Sequence, residues 1–205
     1  AYLPRPGIVR LRLTVLDRCA AEADRILEPV IGQLLELIPQ HVFGFDDITL
    51  EQSLGALLRE KGLYLATAES CTGGKIASMI TSVPGSSDYF AGSVVAYSNL
   101  IKTEVLNVEQ DVIEESGAVS GQVVEQMAVG VRQVFGCDAA ISTSGIAGPG
   151  GGTEEKPVGT TWIAVLYGDK VTSRMFRFGG SRERIITQTC YSAMQMLRRL
   201  ILGQL

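Results

Sequence analysis

Histidine is all but missing from this chain. The single copy in 205 residues is His41, far in sequence from every glycine-rich junction, so hydrolysis run on a Ser–His or Cys–His pair finds no base there. Cysteine is sparse and scattered. Cys19, Cys71, Cys137 and Cys190 form no C-x-x-C pair, which argues against a zinc site and a disulfide framework and fits a reducing cytosol. No apolar run reaches the ~18 residues of a membrane span, and no charged segment followed by an apolar one opens the chain. Basic charge is not in excess either: a formal net charge of −4 offers no broad positive field for a phosphate backbone, so direct nucleic-acid binding is not expected. A local anion site remains compatible with that charge.

What is present is an ordinary globular composition, with 46% hydrophobic and 20% charged residues. That suffices for one good core and a small second unit. The chain begins on Ala1 with a strand-like run close behind, and an upstream part is expected. Residues 1–45 read as a strand-helix-strand unit. "GIVRLRLTVL" alternates apolar and basic residues with period two, and "CAAEADRILEPVIGQLLELI" carries Ile26, Leu27, Val30, Leu34, Leu37 and Ile38 at helical spacing around Pro29. Such a unit is too small to fold well alone and is expected to be the remnant of a larger domain.

The main domain is expected over residues 46–205. It opens on a capping-box pattern, Thr49 followed three residues later by Gln52, in a helix closed by Gly62. Apolar runs at 63–68, 92–98 and 138–145 read as buried strands separated by helical patterns, one of them between Ser120 and Gly136. Two strands joined through Gly168-Asp169 read as a hairpin, and residues 181–202 as an amphipathic helix. The expected fold is α/β: a three-layer α/β/α sandwich on a mostly parallel, mixed sheet, preceded by the small α/β fragment.

Three polar junctions follow the three expected strands. In an open parallel sheet, ligands collect beyond the C-terminal strand ends, so the junctions are expected to converge. "AESCTGGK" at 68–75 supplies hydroxyls from Ser70 and Thr72 and amides from Gly73 and Gly74 at a helix start. It reads equally as an anion seat or an ordinary helix start, and it is not a P-loop, since Glu69 and Ile76 break that pattern. "SGIAGPGGGTEEKPVG" at 144–159, six glycines in sixteen residues, is long for a structureless loop and points to a ligand contact. At "YSNLIK", Tyr97 ends a strand and Lys102 lies one turn into a helix that Ser98 can cap. A lysine so placed is a solvated surface charge or, if desolvated, a general base. Ser86 and Ser87 in "VPGSSDYF" would supply a nucleophile. Cys71 competes with them, although a buried core thiol is the plainer reading of it. Arg182 in "GGSR" is placed to reach an anionic group.

These stretches together resemble the CinA (competence/damage-inducible) family, whose C-terminal domain is similar to stand-alone nicotinamide-nucleotide amidases of the PncC type. "TAESCTGG", "GSS", "YSNLIK", "GAVS", "SGIAGPGGG", "EEKPVGT" and "GSR" stand in the family's order over about residues 50–205, and residues 1–45 resemble the end of its middle domain. The resemblance implies hydrolysis of nicotinamide mononucleotide to nicotinate mononucleotide and ammonia in pyridine-nucleotide salvage. It implies Ser87 as nucleophile, activated by Tyr97 and Lys102. Ser70, Thr72, Gly73, Gly74 and Arg182 are expected to hold ribose and phosphate, with Ser144 and Gly145 also expected to bind substrate. No metal and no organic cofactor is implied, the partner is a small nucleotide, and a cytoplasmic homo-oligomer is expected. The alternative is a nucleotide-binding regulatory module, associated with competence or DNA damage, in which the Ser–Lys pair is vestigial.

Overall fold

A computed structural model describes residues 1–16 and 19–205. Side-chain caps set most helix starts. Helix α2 (Leu50–Lys61) begins at Thr49, whose Oγ1 accepts from the Gln52 amide at 3.3 Å while Gln52 Oε1 accepts from the Thr49 amide at 2.9 Å, and ends at Gly62 in the left-handed region. Ser98, Ser120 and Ser181 cap α4 (Asn99–Glu104), α6 (Gly121–Phe135) and α7 (Arg182–Ile201), each hydroxyl accepting from the amide three residues on.

Five strands, β3 (Leu65–Glu69), β4 (Phe90–Val95), β5 (Ala139–Gly145), β6 (Thr160–Tyr167) and β7 (Lys170–Arg177), form one sheet in the order β4-β3-β5-β6-β7. The first three run parallel, and β6 and β7 add antiparallel, joined through the expected Gly168-Asp169 turn. Alternation along the strands gives each face its own core. Leu65, Ile141, Ile163 and Val165 pack against α2, α3 (Lys75–Thr81) and α7, while Ala66, Ala68, Ala140 and Ala164 pack against α6 and α5 (Gln110–Ser116). Small residues on the second face let α6 lie close. Its Gly130 is so near the Leu106 carbonyl that a Cβ there would stand 2.0 Å from the oxygen.

The N-terminal unit differs from the expected strand-helix-strand order. β1 (Tyr2–Arg5) and β2 (Ile8–Leu11) pair as an antiparallel hairpin, α1 (Ala20–Leu37) follows with Pro29 inside it, and residues 39–49 contain no strand. The alternating run is consumed by the hairpin because Pro6-Gly7 turns the chain back on Tyr2–Arg5. After α1 the chain packs Phe43 on the α2/α7 core, and Ser53 Oγ donates to the Phe43 carbonyl at 2.6 Å. Among the described residues no helix is long and apolar enough to cross a membrane.

Candidate functional site

Because β4, β3 and β5 are parallel neighbours, their three C-terminal junctions open on one edge with the β3 junction in the middle. The centre of that edge is a built turn. Glu69, fully buried, folds its carboxylate onto the start of α3: Oε2 accepts from the Gly74 and Ile76 amides at 3.0 Å each, and Oε1 from the Ala77 amide at 2.8 Å and Thr67 Oγ1 at 3.3 Å. This internal anion occupies the donors that the sequence marked as an anion seat. The Gly73 amide is likewise spent, on the Ser70 carbonyl at 3.1 Å. Gly73 and Gly74 therefore build the turn, and their amides are not open to a ligand. Glu69 is the residue the sequence reading passed over; its signal was a carboxylate at the last strand position before a helix start.

Ser70 follows at once. Its amide donates to the Thr143 carbonyl at 3.0 Å, which ties the turn to β5. Its hydroxyl has no partner among the described residues, and the residue keeps 9% exposure. Thr72 Oγ1 lies 2.8 Å from Thr143 Oγ1, so that hydroxyl is held inside the fold. The Cys71 and Thr72 amides donate to no main-chain carbonyl among the described residues. Cys71 is buried, and desolvation pushes its thiol up to about 12, which leaves it protonated at neutral pH.

Lys102 comes to this turn from the β4 side. It is 1% exposed, and its Nζ donates to the Ala96 carbonyl at 2.9 Å. Glu69 and Val95 are the last pair of the β3/β4 ladder, so the Ser70 turn and the Ala96 junction leave the sheet side by side, and Lys102 is near enough to Cys71, the neighbour of Ser70, to be affected by it. Burial pulls the Lys102 pKa below the ordinary lysine value, with Cys71 opposing weakly. Tyr97 sits at the same junction, 65% exposed.

Ser87 is not brought to this edge. Residues Ser86–Asp88 form a short 3-10 turn before β4, where Arg59 donates to the Gly85 carbonyl and pairs with Asp88 at 3.2 Å. Tyr97 and Lys102 follow β4. The whole six-residue strand, about 20 Å at 3.3 Å per residue, separates the two ends. Sequence proximity of Ser87 to Tyr97 misled because an extended strand places its flanking residues on opposite edges of a sheet.

The β5 side is closed by main-chain and hydroxyl bonds. Ser144 Oγ donates to the Ala118 carbonyl at 2.7 Å, and Gly145 lies against Thr161, where a Cβ would meet Oγ1 at 2.8 Å. Both residues shape the edge, with the Ser144 hydroxyl already engaged. Arg182, at the start of α7, donates from Nη1 to the Gly148 carbonyl at 2.7 Å and so anchors the long loop after β5; it is also near enough to Cys71 to act on its thiol.

Comparison with known proteins agrees with this architecture. Residues 47–201 match the model for the CinA C-terminal domain. A CinA-like protein of Cytophaga hutchinsonii is 45% identical over 199 residues, covering 97% of this chain and 48% of that protein. One of Parasynechococcus marenigrum is 46% identical over 200 residues, covering 97% and 48%. The chain thus spans about half the length of the curated relatives it matches. Among solved structures, a competence-damaged protein (CinA) superfamily protein from Klebsiella pneumoniae superposes with a TM-score of 0.73 at 32% identity, over 75% of this chain and 96% of that one. A competence/damage inducible protein from Agrobacterium tumefaciens gives 0.70 at 35% identity, over 77% and 99%.

Proposed function

Since the chain belongs to the CinA family, we propose that it hydrolyses the carboxamide of nicotinamide mononucleotide, with Ser70 rather than Ser87 as nucleophile and Lys102 as its base. The observation that carries the reading is a buried lysine of lowered proton affinity, close enough to Cys71 to be affected by it, beside the turn where the Ser70 hydroxyl has no partner among the described residues, at the edge where three parallel strands end. Burial makes the neutral amine accessible, and the Ala96 carbonyl orients it.

In this mechanism the Lys102 amine takes the Ser70 Oγ proton as Oγ attacks the carboxamide carbon. The Cys71 and Thr72 amides receive the developing oxyanion. Collapse of the tetrahedral intermediate expels ammonia, which takes its proton from the Lys102 ammonium, directly or through the Tyr97 hydroxyl. Water then attacks the acyl-serine with Lys102 again as base, releasing the carboxylate product. The exposed position of Tyr97 suits a relay at the mouth of the site. Arg182 is the cation assigned to the substrate phosphate. The same reading assigns the work to a cytoplasmic homo-oligomer with a small nucleotide as its partner. The acidic net charge favours such a substrate over a nucleic-acid backbone.

Ammonia release from nicotinamide mononucleotide tests this directly. The parent is expected to turn over, Ser70→Ala and Lys102→Ala to lose about 10³-fold or more in kcat, Tyr97→Phe to lose on the order of 10²-fold, and Ser87→Ala to stay near the parent. Collapse in Ser87→Ala with Ser70→Ala active would overturn the assignment. An inactive parent that still binds the nucleotide would favour a regulatory module instead.

A further inference from the structure

On the α6 face of the sheet lies a half-open cleft of about 570 Å³ that the amidase chemistry does not use. Trp162 of β6 lines it, with Gln122 and Glu125 from the first turns of α6, Ser173 and Met175 from β7, and Lys156 from the loop after β5. We propose that this cleft binds a planar, uncharged nitrogen heterocycle, a nucleobase or a pyridine ring without its phosphate, stacked against the Trp162 indole.

The apolar contribution comes from an aromatic surface held in place. Gly121 lets the start of α6 lie on the indole edge, since a Cβ there would stand 3.0 Å from ring Cζ3. A half-buried indole presented at a concave surface favours a flat π-system. Around it stand polar groups with unused capacity. Glu125 Oε1 accepts from Ser173 Oγ at 2.6 Å, which fixes the carboxylate and leaves Oε2 to accept from a ring N–H or an exocyclic amine. Lys156 spends one of its three N–H donors on the Ser116 carbonyl at 2.7 Å, leaving others for a ring nitrogen or carbonyl. The Gln122 side chain has no partner among the described residues. Charge selects against phosphate: Glu125 and Glu155 outnumber Lys156 in the lining.

The cleft also touches the reaction edge. Ser144 is in register with Trp162 and donates to Ala118, two residues from the Ser116 carbonyl that Lys156 holds. A bound ring would therefore be felt at the end of β5. The proposal does not depend on the amidase reading.

Trp162 is the only tryptophan, so one indole N–H resonance in a nitrogen-15 spectrum of the whole chain reports on the site. Adenosine and nicotinamide are titrated separately, into the parent and into Ser70→Ala, nicotinamide mononucleotide is titrated into Ser70→Ala, and ammonia release is followed as a separate assay. A saturable shift with either compound at millimolar concentration, the same in both proteins, is expected; which compound binds names the ring. Glu125→Ala should raise the midpoint by about tenfold, the scale of a hydrogen bond to a charged group. If that variant misfolds, Glu125→Gln, which presents a donor where the ring needs an acceptor, should do the same. No saturable shift with either compound, a shift indifferent to both Glu125 variants, or tighter binding of nicotinamide mononucleotide than of nicotinamide at this resonance would overturn the proposal.

Discussion

At the scale of single residues, the site depends on what burial does to Lys102. The native state lowers its proton affinity by desolvation, whereas the unfolded chain titrates near the ordinary value of about 10.4. Between the folded and unfolded values the unfolded state binds more protons, so stability rises with pH across that window and the penalty is full below the folded value. Lys102→Met is therefore expected to raise Tm relative to the parent most below the folded value, with the advantage shrinking as pH climbs toward the ordinary lysine value; thermal melts across a range of pH check it. A constant difference would mean that Lys102 is not desolvated in solution. The same lowered value places the rising limb of the rate profile below the ordinary lysine range. Tyr97, Lys102 and the Ser98 cap were legible as a junction in the sequence. That the Ser70 turn and not Ser87 shares an edge with Lys102 was not, because neighbourhood across a sheet depends on strand order and register.

At the scale of elements, close approach decides which glycines matter. Gly130 brings α6 onto the Leu106 carbonyl, and an alanine there would need the backbone to move. Gly130→Ala is expected to cost about 1–3 kcal/mol, read from urea unfolding. Gly32 in α1 has nothing within 4 Å of its would-be Cβ, so Gly32→Ala should stabilise by about 0.5–1 kcal/mol or leave stability unchanged. A Gly130→Ala as harmless as Gly32→Ala would place α6 farther from the Leu106 turn than described. Helix caps at Thr49, Ser98, Ser120 and Ser181 were all readable from local pattern, since each bond spans three residues. The strand after α1 was expected and does not form. Alternation marks a strand but does not name its partner, and here the partner was the hairpin on its N-terminal side.

At the scale of the whole molecule, stability is distributed unevenly. β3 is buried at every position, while α1 buries none of its residues. Amide hydrogen exchange should therefore be orders of magnitude faster over Ala20–Leu37 than over β3 and β5, because local opening of α1 exposes little apolar surface. Equal protection would show that another surface covers α1 in solution. The two cores lie on opposite faces of the sheet, so the edge on which the three junctions open is held from both faces.

The sequence by itself determined the capped helix starts, the α/β class, the strands of the five-stranded sheet and the convergence of three junctions at one strand edge, because each rests on short-range chemistry or on a rule about parallel sheets. Only the tertiary structure decided that Glu69 fills the helix start expected to hold an anion, that Ser87 stands at the far end of β4, and that Lys102 is buried at the edge where the Ser70 turn lies. Those outcomes depend on which strands are neighbours and in what register, a choice made by packing two cores at once and not by any local stretch of chain.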